Sequence, residues 1–177
     1  MGKAAEVIAD VRRVRRKRGG QSMSQSSGSG VTAAGQASSA GYAGDVDVTE
    51  AWEGVKNNPG AVLVDVRTKA EWNFVGIPDL SEAGKEPVLV EWQEFPTMDV
   101  NASFVDAVAA ASPDKSQPIY FLCRSGVRSM SAAMALTQAG YAVCFNISEG
   151  FEGPHDQNHH RGLAAGWKAS GLPWVQG

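Results

Sequence analysis

From Asp45 onward the chain alternates short apolar runs with stretches of helical character, and this alternation constrains the fold more than any other feature of the sequence. Ala61–Val66, Ile119–Leu122 and Val143–Ile147 are four to six residues long and rich in β-branched and aromatic side chains. Runs of that length are too short for helices and suit strands buried on both faces. Val88–Trp92 reads as a further strand, and Asp47–Val48 as a short one leading into a helix over Ala51–Lys56 capped by Thr49. Asn57-Asn58-Pro59-Gly60 is a turn. A short helix is expected at Lys69–Trp72. A second is expected from an Asn101 cap through Ala111, stopped by Ser112-Pro113, and an Ala-rich third over Ser129–Ala139, ended by Gly140. Parallel strands need crossover connections, usually helical, so this order predicts an α/β domain with a largely parallel sheet.

The first 44 residues have a different character. Residues 1–20 hold seven basic groups against Glu6 and Asp10, a charge of about +5 in a chain whose net charge is -3, which leaves about -8 for the rest. Val7, Val11 and Val14 share one face of a possible helix over residues 3–18, and residues 19–44 are rich in Gly, Ser, Ala and Gln. We read residues 1–44 as a basic arm and flexible linker without a core of its own, and residues 45–177 as the folded domain. An acidic body with a basic tail is not the footprint of a nucleic-acid-binding domain. No apolar run approaches the ~18–20 residues a membrane helix needs. The N-terminus lacks the apolar core of a secretory signal, and Glu6 stands where a myristoylation signal wants Ser or Thr. Two cysteines, Cys123 and Cys144, do not make a disulfide scaffold. The expected location is the cytoplasm.

The segment that carries chemistry is Pro118-Ile-Tyr-Phe-Leu-Cys123-Arg124-Ser125-Gly126-Val127-Arg128-Ser129. A buried strand delivers a cysteine, a tight polar loop follows, and a helix begins. Ligands of open parallel sheets bind beyond the carboxyl ends of the strands, where Cys123 would sit. Backbone N–H groups of the loop and the first helical turn have no internal acceptors and can converge on a negative charge. Gly126 permits the sharp turn, and Arg124 and Arg128 add positive charge. This setting is expected to favour the thiolate of Cys123 and to hold a persulfide or the anionic end of a sulfur donor. A buried inert cysteine would not need two arginines and a glycine within five residues.

Cys123-Arg-Ser-Gly-Val-Arg-Ser resembles the active-site loop of the rhodaneses, Cys-x-x-Gly-x-Arg followed by Ser or Thr. Asp65-Val-Arg67-Thr-Lys-Ala-Glu71-Trp72 resembles an upstream family segment, and Glu149-Gly150-Phe151, Gly166-Trp167 and Gly171-Leu172-Pro173 resemble its C-terminal pattern. The resemblance covers about Asp45 to Trp174. It implies a central five-stranded parallel sheet flanked by helices, and a sulfurtransferase that needs no cofactor and no metal. In that chemistry Cys123 takes a sulfur from thiosulfate or a similar small-molecule donor and yields it to a thiol acceptor, or to cyanide. The chain departs from the family in reading Gly76-Ile77-Pro78 where many members read Gly-His-Ile, and Pro78–Met98 looks longer than in the smallest members.

Two other readings remain beside this one. Cysteine-dependent phosphatases and arsenate reductases resemble Cys-x5-Arg, whereas Cys123 to Arg128 is Cys-x4-Arg, and the phosphatase His before the cysteine is replaced by Leu122. A catalytically silent rhodanese-like docking module typically loses the cysteine, which is present here. Asp65 and Arg67 are expected to be structural, with Arg67 pairing with Glu71 one helical turn on. His155, His159 and His160 lie near Glu152 and Asp156 in a loop-like stretch that lacks a paired cysteine or a helical His spacing, and they read as a loop shaping donor access rather than a metal site. Cys144 falls in a predicted strand and reads as core. The five tryptophans are scattered through separate elements and read as packing residues, not a base-stacking platform.

Overall fold

The computed structural model describes residues 41–177; the basic arm, with its possible helix over residues 3–18, and most of the expected linker fall outside them. Strands β1 (Gly44–Val46), β2 (Val62–Asp65), β4 (Val88–Leu89), β7 (Ile119–Leu122) and β8 (Cys144–Ile147) form one five-stranded sheet in the order β1-β8-β7-β2-β4. Every pairing in it is parallel. Strands β7 and β8 are buried at every residue, which explains the apolar sequence of β7 and of β8 apart from Asn146.

Helices cover both faces. Helix α1 (Val48–Asn57) lays Val48, Ala51, Trp52 and Val55 on one face against Leu63, Tyr120, Leu122 and Phe145. On the other face α3 (Phe104–Ala111) and α4 (Val127–Gln138) contribute Phe104, Val108, Ala132, Ala133 and Leu136 against Val64, Ile119, Phe121 and Cys144. The alternation of Ile119 and Phe121 with Tyr120 and Leu122 between the two cores follows from the two-residue strand period. Helix α2 (Lys69–Val75) follows β2 directly. Two small antiparallel pairs complete the described residues: β3 (Ile77–Pro78) with β9 (Trp174–Val175), and a hairpin of β5 (Gln93–Glu94) with β6 (Asp99–Val100).

Several boundaries differ from the sequence expectation for local reasons. The first strand ends before Asp47 because Asp47, not Thr49, caps α1. Its carboxylate accepts from Glu50 N–H at 2.8 Å and the Glu50 carboxylate accepts from Asp47 N–H at 3.2 Å, a reciprocal cap. Asn101 does not cap α3. It accepts the Ser103 N–H at 2.9 Å in a preceding turn, and the helix starts at Phe104. The expected strand over Val88–Trp92 is ladder-paired only at Val88–Leu89, although Val90 and Trp92 still donate to the carbonyls of Asp65 and Val66 at 3.2 and 3.1 Å. The additional length noted at Pro78–Met98 includes part of the β5–β6 hairpin, which the apolar pattern did not disclose.

Candidate active site

Cys123 is the first residue past β7, and its side chain is buried at the floor of a cleft of about 710 Å³. The loop after it turns at Gly126, whose φ of 97° is the left-handed conformation glycine tolerates. A side chain there would also collide with the Ser148 carbonyl. The turn aims the Gly126 N–H at Cys123 Sγ, 3.1 Å away, and the hydroxyl of Ser129 lies 3.1 Å from the same sulfur.

Helices α1 and α2 both open with a side chain that caps the first turn, whereas Gly126 offers none to α4. The first-turn N–H groups of Val127, Arg128 and Ser129 lack intrahelical acceptors by construction, and the positive end of the helix dipole coincides with them. An anion attached to, or approaching, Cys123 Sγ meets this uncapped end. Of the expected cradle, the structure sets the Gly126 N–H and the Ser129 hydroxyl against the sulfur.

The two arginines of the loop have different surroundings. Arg124 is exposed and lines the cleft, and its guanidinium makes no hydrogen bond or ion pair among the described residues. Arg128 is held in a two-pronged pair with Glu71, with Nη1–Oε2 at 2.8 Å and Nη2–Oε1 at 2.6 Å. Glu71 also accepts from the Thr68 N–H and hydroxyl, each at 2.9 Å. Burial alone would push the Glu71 carboxyl up, but the Arg128 guanidinium and the Thr68 donors outweigh it and bring the carboxyl down to about 2. The same pairing raises Arg128 further against the opposing effect of burial.

This geometry corrects the expected pair of Arg67 with Glu71. Arg67 is fully buried and grips Asp65 instead, with Nη2–Oδ2 at 2.6 Å and Nε–Oδ1 at 3.0 Å. It also donates to the Gly76 carbonyl at 2.7 Å and lies 4.0 Å above the Phe151 ring. A one-turn spacing would make Arg67 and Glu71 neighbours on a single helix. Arg67 lies before the Thr68 cap, however, and its side chain turns back into the core. Asp65 and Arg67 therefore fasten the site from beneath, and Glu71 reaches across 57 positions of sequence to the loop helix.

The C-terminal motif clamps the loop. Phe151 N–H donates to the Cys123 carbonyl at 2.8 Å, and the N–H groups of Glu152 and Gly153 donate to the Arg124 carbonyl at 3.0 and 3.1 Å. Gly150, at φ 68°, lets this segment approach the loop backbone, where a Cβ would stand 2.6 Å from the Cys123 oxygen. Trp167 secures the clamp by donating its backbone N–H to the Gly150 carbonyl at 2.9 Å and its indole N–H to Pro173 at 2.7 Å. The separated sequence motifs thus act as one mechanical unit.

The cleft above Cys123 is amphipathic. Phe95 and Met98 from the hairpin, with Val75 and Val127, supply apolar wall, while Arg124 and Arg161 supply charge. Sequence reasoning missed Phe95, Met98 and Arg161; no short-range signal places the hairpin or residues 152–161 over a loop at residue 123. It also missed Asn146, buried in β8 with its side-chain oxygen 2.7 Å from Ser129 Oγ. A lone Asn between Phe145 and Ile147 in a buried strand was the available sign.

The three histidines do not line the cleft, and His155 and His159 stack edge to face at 6.1 Å. Among the described residues no group of His, Cys, Asp and Glu is placed to hold a metal ion. None of the described helices is long and apolar enough to cross a membrane. Cys144 is enclosed in the core, where burial pushes its thiol up to about 11.

Residues 43–177 match the family model of the STR4 middle domain. The fold and sequence also resemble the crystal structure of Rv0390 from M. tuberculosis, with 48% identity and a TM-score of 0.71, covering 77% of this chain and 99% of that one. A rhodanese domain-containing protein of Drosophila melanogaster is 35% identical over 50% of this chain and 76% of that protein. The chain belongs to the rhodanese-like family. An uncharacterized protein of Rickettsia conorii is 42% identical to this rhodanese-like chain over 71% of its length and 92% of the relative's. The polysulfide-sulfur transferase homodimer of Wolinella succinogenes shares the fold at 19% identity, with a TM-score of 0.53 over 78% of this chain and 81% of its own.

Proposed function

We propose that this rhodanese-like protein is a sulfurtransferase that carries a sulfane sulfur as a persulfide on Cys123. The observation that supports it most directly is a single buried thiol beneath a cleft, its sulfur facing the Gly126 N–H at the uncapped start of α4. In the first half-reaction the Cys123 thiolate attacks the outer sulfur of thiosulfate. A new S–S bond forms to Sγ, the donor's S–S bond breaks, and sulfite leaves with the electron pair. The persulfide's negative charge then rests on the outer sulfur, where loop and first-turn N–H groups can hold it. In the second half-reaction a thiolate, or cyanide in an assay, attacks that outer sulfur and the Cys123 thiolate leaves. Sulfite is a stable anion, so no general acid is needed at Asp65, consistent with that carboxylate being committed to Arg67.

The Arg128–Glu71 pair argues against a phosphatase or arsenate reductase. Two of the five Arg128 N–H donors are already engaged with Glu71 before any tetrahedral oxyanion arrives, and the loop from Cys123 to Arg128 is one residue shorter than a phosphatase loop. The open cleft and intact Cys123 likewise favour catalysis over silent docking.

Mass spectrometry after exposure to thiosulfate should show an adduct of about 32 Da on the Cys123 peptide, removed by cyanide with formation of thiocyanate. Cys123→Ser should form neither adduct nor thiocyanate. A wild-type protein that takes up no sulfur from thiosulfate, polysulfide or an organic persulfide, or a Cys123→Ser variant that still turns over, would refute the proposal.

A further inference from the structure

A buried line of hydrogen bonds leaves Cys123 on the side away from the cleft and ends at an exposed carboxylate. Ser129 Oγ stands 3.1 Å from Cys123 Sγ and 2.7 Å from Asn146 Oδ1. Asn146 Nδ2 donates to Asp45 Oδ1 at 2.8 Å, and the Tyr42 hydroxyl donates to the same oxygen at 2.8 Å. Ser129 and Asn146 are buried, and Asp45 is the exposed register partner of Asn146 across the β1–β8 ladder.

The proton count along this line is fixed by chemistry. An ionised carboxylate only accepts, so Asp45 obliges Asn146 to face it with the NH2 group and to present its oxygen to Ser129. That oxygen also only accepts, and Ser129 has a single hydroxyl proton. When Cys123 is a thiol all demands are met: its S–H donates to Ser129 Oγ and Ser129 donates to Asn146. When Cys123 is a persulfide, Sγ is a neutral divalent sulfur that needs no donor, and Ser129 again donates to Asn146. Only the free thiolate puts two acceptors, Sγ and Asn146 Oδ1, in competition for one proton. A buried acceptor left unmatched is costly.

We propose that Asp45 and Asn146 are positioning residues that hold the Ser129 proton away from Cys123 and so make the free thiolate the least satisfied state of the site. Loading with sulfur relieves the mismatch, and discharge, which regenerates the thiolate, restores it. The thiolate is thereby a stronger nucleophile toward the donor, and the loaded form retains its sulfur until an acceptor attacks. The cyclic part of this argument rests on the sulfur-carrier reading above, whereas the competition for the Ser129 proton does not.

The other charged groups facing Cys123 are Arg128, with Glu71 and Asp65 behind it, and Arg124, Glu152 and Arg161 around the cleft. On the far side Asp45 meets Tyr42 and Asn146. Asn146→Ala and Ser129→Ala change no charge, whereas Asp45→Asn also removes a carboxylate, whose Coulombic effect on Cys123 has the same sign as the proposed one.

The test is the pH profile of Cys123 alkylation by iodoacetamide, read on the Cys123 peptide so that Cys144 does not contribute. In Asp45→Asn the new amide can offer its NH2 group to Asn146, which can then turn its own NH2 to Ser129 and commit the hydroxyl proton to sulfur. The midpoint should move to lower pH, and alkylation at pH 7 should accelerate roughly fivefold, the worth of about one buried hydrogen bond. Asn146→Ala removes the competing acceptor and should move the midpoint in the same direction. Ser129→Ala removes the donor and should move it the opposite way. Opposite signs for Asn146→Ala and Ser129→Ala, neither of which alters charge, in variants with native circular dichroism, are the signature a merely structural or Coulombic role would not give. The proposal is overturned if Asp45→Asn leaves the midpoint in place or raises it, or if Asn146→Ala and Ser129→Ala move it in one direction. Asp45→Asn changes an exposed side chain to its isostere, so that arm of the test does not depend on tolerance of a core substitution. Alkylation requires no sulfur donor, so a protein inactive in sulfur transfer would still report on the relay.

Discussion

Replacing Glu71 with Gln should destabilise the protein in a manner that depends on pH, because it removes the charge that anchors the active-site helix. The folded carboxyl ionises at about 2 instead of the ordinary 4.5. A carboxylate held more strongly in the folded state adds stability that is complete above its unfolded value and vanishes as pH falls through its folded value. A difference of that size corresponds to about 3 kcal/mol at neutral pH. Solvent still reaches 19% of the Glu71 side chain and 16% of Arg128, and screening lowers the expected loss to about 2–3 kcal/mol. In a domain of this length that is roughly 10 °C in Tm. Urea unfolding of wild type and Glu71→Gln at pH 7 should show this gap, about half of it should remain at pH 3, and it should close near pH 2. Gln keeps the shape and one acceptor for Thr68, so the difference isolates charge. A cycle with Arg128→Met should return a coupling of about 1.5–3 kcal/mol. Equal stability of wild type and Glu71→Gln at pH 7, or a gap that persists undiminished at pH 2, would refute the reasoning.

Arg124→Gln should raise KM for thiosulfate about tenfold and leave stability unchanged, since Arg124 is an exposed cation on the cleft whose side chain has no partner among the described residues; steady-state kinetics at fixed low ionic strength would check it. Phe95→Ala with Met98→Ala should lower kcat/KM for organic thiol acceptors about tenfold while leaving cyanide discharge unchanged, because only an acceptor with an apolar body reaches the hairpin wall; comparison of the two acceptors is the test. Cys144→Ala should retain sulfur transfer and cost about 1 kcal/mol in urea unfolding, because its thiol is enclosed and kept neutral by burial.

What the sequence disclosed and what it withheld divide along a physical line. The strands β2, β7 and β8 were legible because burial on both faces imposes a mostly apolar run, interrupted only at Asp65 and Asn146. The loop over Cys123–Ser129 was legible because its demands are local: a sharp turn needs Gly126, and a helix start follows a strand end. Partner choice among charged side chains was not local. Arg67 has Asp65 two residues before it and Glu71 four after it, and Glu71 has Arg128 available only once α4 docks beside α2. Spacing along the chain favoured the wrong pair because it counts separation on a helix that has not yet begun at Arg67. Burial decided the matter. A fully enclosed guanidinium needs acceptors enclosed with it, and Asp65 and the Gly76 carbonyl supply them to its Nε and Nη2, whereas the partly exposed Glu71 pairs with Arg128. Asn146 follows the same rule, since a polar group inside β8 requires partners that only assembly of the sheet and α4 supplies. For a site of this kind, residues that touch the reacting sulfur can be read from a few consecutive positions. The side chains bonded behind those residues lie on β1, β8 and α2, and only the folded chain brings them there.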